Sequence, residues 1–392
     1  MTLNPLKLHR QPWVFYRYII GETARPFMGA AVFFMFVLLM FQVIRLTDVM
    51  VVHNVSGNNV MMLLFYLALT FIPVIIPIAF LLAVLLGFGR LSGDGEVLAM
   101  RAAGVSVYTM VAPVFALGCL LAGFTMFCNL YFVPFGARQF RHELYKIYNS
   151  KAIATIHEGT FTTEGFFDLV LYSQTVDSKK NLLSNVLIYD ERKKDSPITV
   201  IARRGQILNN LADAAGTPGL VLRLMEGNLH RGDPSKALYE KTDFDVYDIF
   251  LSIGTGANVG MEAPRAMEIG RLSNRIDELK AKLKSGVKFS DFSQLEKDDY
   301  LSFGVEFHKR FALAASCFIF ALMGVAFGVI RTRTVRSNSF LICLLVLLFY
   351  WGVYSAGTNL SASGQLPAFI GMWAANAILL PIAVYTLRKV AR

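Results

Sequence analysis

The residues with the most chemistry to offer stand together in one short polar stretch, LSGDGEVLAMRAAGVS, from Leu91 to Ser106. Two carboxylates, Asp94 and Glu96, lie between Arg90 and Arg101, and Met100 adds an apolar knob. Helical spacing sets Glu96, Met100 and Ala103 along one face, because residues three and four apart are neighbours on a helix. An acid beside an apolar knob suits docking to a soluble protein through charge-assisted hydrogen bonds. The same stretch also reads as a solvated loop in which Asp94 and Glu96 keep a turn wet. Spacing alone does not choose between the two.

Catalytic motifs are missing elsewhere. No GxxxxGK[ST] is present, so the chain has no Walker loop for ATP, and neither HExxH nor GxSxG occurs. GTGANVG, from Gly254 to Gly260, follows a turn and reads as a loop. The four cysteines, Cys119, Cys128, Cys317 and Cys343, all sit inside apolar runs and make neither a disulfide framework nor a CxxC metal motif. His142 with Glu143, and Glu306 with Phe307 and His308, read as interfacial anchors at span ends rather than metal ligands. The sequence therefore predicts no enzyme, and no metal or cofactor bound by this chain.

The element that must position the polar stretch is a membrane hairpin. No Asp, Glu, Lys, Arg or His occurs from Asn54 to Gly89 or from Ala102 to Ala137. The 392 residues are 55% hydrophobic and 17% charged, with a mean hydropathy of +0.49, the composition of a polytopic α-helical membrane protein. A helix needs about 20 apolar residues to cross the hydrocarbon core. Six runs meet that length. An N-terminal half (1–135) holds predicted spans at about 26–44, 60–88 and 105–133, with a surface helix at about 91–104. A C-terminal half (310–392) holds spans at about 311–330, 338–358 and 367–387. Ahead of the first span, Trp13, Phe15, Tyr16, Arg17 and Tyr18 read as an interfacial approach helix.

A net charge of +10 need not mean nucleic acid, because membrane orientation accounts for it. Lys7, Arg10, Arg17 and Arg25 precede the first span, and Arg90 and Arg101 flank the second-to-third connection. Arg331, Arg333 and Arg336 join the fourth and fifth spans, and Arg388, Lys389 and Arg392 end the chain. Only Arg45 stands in the short loops of the opposite side. By the positive-inside rule both termini and the Leu91 stretch face the cytoplasm.

From 136 to 309 the character changes. FFDLVLYSQTV, NVLIYDE, PITVIARRGQIL, GLVLRLMEGNLHRG and DFDVYDIFLSI are rich in β-branched and aromatic residues and bounded by Gly, Asp, Asn or Pro. Without helical crossovers between them, they predict an antiparallel sandwich or jelly roll. From Arg265 to Lys284 the pattern turns helical, with Ile269, Leu272, Ile276 and Leu279 on one stripe. On this orientation the insert lies outside the cytoplasm; in a Gram-negative cell it would stand in the periplasm.

Taken together, these residues resemble the LptF/LptG permease family of the lipopolysaccharide export ABC transporter. The likeness runs along almost the whole chain. It is strongest at GRLSGDGEVLAMRAAGVS (Gly89 to Ser106), RLTD (Arg45 to Asp48) and EFHKRFALAASCFIFALMGVAFG (Glu306 to Gly328). RLTD, EFHKR and the LxxxGxLP-like stretch before the sixth span look more like the LptF branch than the LptG branch. The resemblance implies three inner-membrane spans, a periplasmic β-jelly-roll domain and three further spans. It also implies an LptG-like sister permease, an LptB-like ATPase dimer that binds the ATP and magnesium, and LptC and LptA as periplasmic acceptors of the lipid. Glu96 stands where the family has the acid of a coupling helix that faces the ATPase, and Asp94, Met100, Arg101 and Arg90 surround it. Gly93 and Gly95 replace the more usual polar residues, so that helix is expected to begin late, nearer Glu96. Lipopolysaccharide is anionic at its head, which on the same resemblance draws Arg45, Arg138 and Arg141 into its path as rim cations. Two alternatives stand beside this reading: the sister permease LptG, and a membrane-anchored periplasmic scaffold without transport.

Overall fold

A computed structural model describes residues 12–53, 56–151, 156–163, 169–177, 181–191, 197–212, 218–233, 238–251, 264–284, 292, 294–329 and 335–391. The Gly254 to Gly260 loop lies outside them. The chain forms two compact units. One comprises Met1–Arg45, Leu64–Arg138 and Pro264–Arg392, and the other Leu46–Leu63 and Gln139–Ala263.

The first unit is helical, and helical residues 46–53, 57–63 and 139–151 fall in the second. In order along the chain come α1 (Pro12–His53), α2 (Gly57–Gly93), α3 (Glu96–Ala102) and α4 (Val107–Phe127). A π-helical turn (Cys128–Phe132) joins α4 to α5 (Val133–Lys151). Beyond the strands follow α6 (Ile269–Lys284), α7 (Gln294–Val329), α8 (Val335–Ala362) and α9 (Ala368–Ala391). Among the described residues six helical stretches are long and apolar enough to cross a membrane, which makes this a polytopic membrane protein. Two helices extend past the expected spans. The approach segment and first span are one helix, α1, whose Glu22 is charge-compensated by Arg90. The helix that carries the fourth span starts well before residue 311, with α7 at Gln294. The Glu306 and Arg310 charges, read as a boundary, neutralise one another one turn apart inside the helix.

The α7 helix is the most enclosed, with 78% of its most apolar stretch buried, against 6% for α1. Gly324 and Gly328 let Val84 and Phe88 of α2 sit directly on its backbone, the close approach that small residues four apart permit. On α9, the buried Asn376 donates through Nδ2 to the Ala312 carbonyl of α7 at 2.8 Å, a hydrogen bond that ties the two helices together. The α8 and α9 helices meet backbone to backbone at Gly357 and Gly371, where a Cβ on either residue would run into the other's carbonyl. The predicted α6 stripe packs as expected, Leu272, Ile276 and Leu279 closing on Phe292 and Phe303.

The second unit is a six-stranded antiparallel sheet of β1 (Phe161–Thr162), β2 (Leu169–Asp177), β3 (Leu182–Asp190), β4 (Ile198–Ala212), β5 (Pro218–Asp233) and β6 (Leu238–Leu251). Five of these are the runs read from sequence; β1 is too short to show a period. Among the described residues the strands pair in sequence order, without the crossovers that a jelly roll adds. Short links between strands favour neighbours. Leu171, Ile188, Val200, Leu222 and Leu224 are buried on one face.

One row interrupts the alternation. Asn185 on β3 and Glu226 on β5 have φ of 49° and 55°, a conformation costing an L-residue about 1–2 kcal/mol. Buried positions step by three instead of two there, from Leu183 to Val186 and from Ala202 to Gly205. The row is a crease. Side chains bridge it: Asn185 Nδ2 donates to Gln174 Oε1 at 2.7 Å, and Arg204 pairs with Glu226.

Further along, Arg223 of β5 grips Asp248 of β6 bidentately, Nε to Oδ1 at 2.9 Å and Nη2 to Oδ2 at 2.8 Å. The guanidinium holds the Asp248 carboxyl below the usual carboxylate range. A carboxylate whose pKa is depressed on folding adds stability above its unfolded pKa, about 3.9, and loses it as pH falls through the folded value. Both side chains are over a third exposed, which screens the pair. Asp248→Asn is therefore expected to lower the melting temperature slightly at pH 7, and the gap from wild type should close in melts run below pH 4. A gap that widens in acid would contradict this.

Candidate functional site

The polar stretch folds as a helix end, a turn and a new helix. Arg90 and Leu91 still belong to α2, and the backbone turns over Asp94 and Gly95, with Asp94 N donating to Arg90 O at 2.9 Å. Gly95 has φ of 78°, where only glycine sits without strain, and α3 starts immediately after it at Glu96. The late start expected from Gly93 and Gly95 is what the structure has. At the far end Gly104 N donates to Arg101 O and Val105 N to Met100 O, closing the helix with a left-handed Gly104. Ser106 then caps α4 by accepting from Thr109 N at 3.2 Å.

Val97 is the anchor of α3, 4% exposed and packed with Leu91 and Val107. Met100, read as the outward knob, instead packs half-buried against that cluster, while Leu98 stands 53% exposed. The i, i+4 relation of Glu96 and Met100 was legible, but which face the bundle would cover was not. Asp94 and Arg101 are exposed.

Two residues of α1 that the sequence reading did not assign to this site complete it: Tyr18, read only as part of the approach helix, and Glu22. The Tyr18 hydroxyl of α1 donates to Glu96 Oε2 at 2.7 Å. Glu22, 8% exposed on the same helix, accepts from Arg90 Nη1 at 3.0 Å, and Arg90 Nε lies 3.5 Å from Asp94. Tyr18 and Glu22 are four apart, so one face of α1 presents both. That spacing was the available signal. The turn is thus fastened to α1 by a hydrogen bond and an ion pair. A carboxylate accepts at both oxygens, so the Tyr18 bond leaves Glu96 capacity for a basic donor on another protein.

The three proposed rim cations are not alike. Arg45 belongs to α1, and its side chain lies outside the described residues. Arg138 of α5 pairs with Glu268 at 2.7 Å, and its charge holds the Glu268 carboxyl below the usual carboxylate range. Arg141 is half-buried further along α5.

A second polar cluster lies where the chain returns from the strands. Arg310 is 1% exposed and donates through Nη2 to the carbonyls of Pro264 (3.1 Å), Arg265 (3.4 Å) and Met267 (2.8 Å). Its Nε reaches Glu306 at 3.4 Å, and Asn129, in the π-helical turn, donates to the Arg310 carbonyl at 3.1 Å. The Glu306 cluster is therefore an internal clamp rather than an interfacial anchor. Among the described residues, no group of three His, Cys, Asp or Glu side chains comes together to hold a metal.

Among the described residues, six helices apolar enough to cross a membrane and an inserted antiparallel sheet make a polytopic membrane protein with a β domain. The chain belongs to the family of the lipopolysaccharide export system permeases LptF/LptG, whose profile matches residues 17–389. It is 23% identical over 372 residues to the lipopolysaccharide export system permease protein LptF of Escherichia coli K12, covering 94% of this chain and 93% of that one. The protein of the same name from Shigella flexneri matches to the same extent.

Proposed function

We propose that this chain is the LptF-type subunit of an ATP-driven lipopolysaccharide extractor in the inner membrane of a Gram-negative bacterium. The observation that carries this is the turn at Asp94 and Gly95, which presents a seven-residue helix with an acid at its start, tied to α1 at Tyr18 and Glu22. A scaffold has no need of such a device. Positive residues at this turn and at the termini put both termini and α3 in the cytoplasm, beside an LptB-like ATPase dimer that supplies the bound ATP and magnesium. The sheet then stands in the periplasm, where it passes lipid to LptC and LptA. Val32, Phe33, Phe36, Met40 and Phe41 of α1, and Leu344, Leu345 and Leu348 of α8, are exposed, an apolar surface suited to an LptG-like sister permease and to acyl chains between the two.

Mechanically, closure of the ATPase dimer moves α3, and the Tyr18 and Glu22 contacts carry that movement to α1. Glu96→Lys reverses the docking charge and is expected to abolish co-purification with the ATPase. Tyr18→Phe removes a single partly exposed hydrogen bond worth about 1 kcal/mol. It should leave assembly intact and lower lipid release per ATP hydrolysed. ATPase pull-down and a coupled release assay in proteoliposomes read both. Normal pull-down and release in Glu96→Lys would refute the assignment, and a chain that never retains an ATPase would point to the scaffold.

A further inference from the structure

Among the described residues, seven buried side-chain polar atoms find no hydrogen-bond partner within the protein, and six of them belong to α7, α8 and α9. They are Arg310 Nη1, Tyr350 Oη, Tyr354 Oη, Ser361 Oγ, Trp373 Nε1 and Asn376 Oδ1. All six residues lie in helical stretches apolar enough to cross a membrane. Apart from Trp373, each is 5% exposed or less. Hydrocarbon supplies no partner there, so a sealed polar atom must be met by protein or by bound water.

Contacts across the three helices hold the six residues in one region. Tyr350 of α8 meets Phe320 of α7 at 5.1 Å between ring centroids. It also stacks on Tyr354 at 6.0 Å, with the two planes 16° apart. Asn376 of α9 is bonded to Ala312, two residues beyond Arg310. Ser361 of α8 lies so close to Gly371 of α9 that a Cβ added there would strike its hydroxyl. From Arg310 to Phe320 is ten residues, about 15 Å of helix at 1.5 Å per residue. Other hydroxyls of the same helices already give their protons to backbone. Ser316 Oγ donates to Leu313 O at 2.7 Å, and Thr358 Oγ1 to Tyr354 O at 2.8 Å.

The donor set selects the ligand. Arg310 Nη1 and Trp373 Nε1 only donate, Asn376 Oδ1 only accepts, and the three hydroxyls do both. A cation would be repelled by the guanidinium, and an anion by the amide oxygen. A small neutral molecule that both donates and accepts suits all six. Protein interiors hold about one buried water per 27 residues, or about three for helices of 36, 28 and 24 residues. At about three hydrogen bonds each, that number serves six atoms.

We propose that the interface of α7, α8 and α9 binds a small set of ordered waters, one of them shared by the Tyr350 and Tyr354 hydroxyls. The 6.0 Å ring spacing is close to the span of two O–H···O bonds of about 2.8 Å each. The site rests on the packing of these helices alone and stands apart from the permease reading. It divides the bundle into a wet joint and a dry one. Where α2 meets α7, Val84 and Phe88 lie on Gly324 and Gly328, and α2 has no orphaned polar atom among its described residues.

The test is X-ray hydroxyl-radical footprinting of the full chain in nanodiscs, in which ionised water oxidises the side chains it touches. Each rate is scaled to that of the same peptide in the unfolded chain. Tyr350 and Tyr354 are expected to oxidise about tenfold faster than Phe80 and Phe88, the sealed aromatics of α2. A membrane-impermeant radical scavenger should spare this labelling, because the radicals arise inside the protein. Tyr354→Phe keeps the ring and removes the hydroxyl, so the shared water loses a bond and oxidation of Tyr350 should fall about threefold. The wild-type comparison decides the matter should that variant misfold. Tyrosine rates no higher than those of Phe80 and Phe88, labelling quenched by the scavenger, or an unchanged Tyr350 rate in Tyr354→Phe would overturn the proposal.

Discussion

Arg310→Ala is expected to remove most of the folded protein from the membrane. The guanidinium serves three carbonyls of the return segment and the Glu306 carboxylate from a position almost sealed from solvent. Removing one partner of a buried pair costs about 3–5 kcal/mol, because the remaining charge stays buried without compensation. Arg310→Lys keeps the charge but replaces a planar fork with a point donor, so it should rescue only in part. Pairing Arg310→Met with Glu306→Gln removes both charges and should recover more than Arg310→Ala alone. Monodisperse yield and melting temperature in detergent report all three variants. Wild-type values for Arg310→Ala would show that the clamp carries no stability.

Gly357→Leu is expected to break the α8 and α9 hairpin. A side chain there meets the backbone of Gly371, which cannot move aside without separating two helices. Overpacking of this kind costs about 1–3 kcal/mol, and more where backbone is the obstacle. Gly352 provides the control. It lies in the same helix with nothing within 4 Å of an added Cβ. Gly352→Ala should be neutral or slightly stabilising, since alanine favours a helix by about 1 kcal/mol over glycine. If both variants lower the melting temperature equally, helix contact at Gly357 is not the cause.

Much of this architecture could be read from charge-free lengths, because a bilayer admits few solutions for an apolar run. The six spans follow from it, and five of the strands from runs of β-branched and aromatic residues between turn residues. Helices run on past charges that were taken as span ends. Arg310, taken as the margin of the fourth span, lies inside α7, and Glu22 lies inside α1; their partners, the Pro264 to Met267 carbonyls and the distant Arg90, carry no sequence signal. The polar turn was legible as a place, and Gly95 even gave its start. Its fastening was not, because Tyr18 lies 78 residues from Glu96 and nothing in either stretch announces the other. The sheet's crease was equally hidden: Asn185 and Glu226 look like ordinary solvent-facing residues.

The π-helical turn at Cys128 to Phe132 has a geometric result of its own. Such a turn is an α-helix with one residue added, and each α-helical residue advances the chain by about 100°. Every side chain of α5 is thereby indexed one step around the axis from where an unbroken continuation of α4 would put it. Arg138 meets Glu268 on this shifted phase. The same irregularity frees Asn129 to reach the Arg310 carbonyl. A single surplus residue thus sets the azimuth at which the chain departs from the third span, as an offset key sets the angle of a shaft.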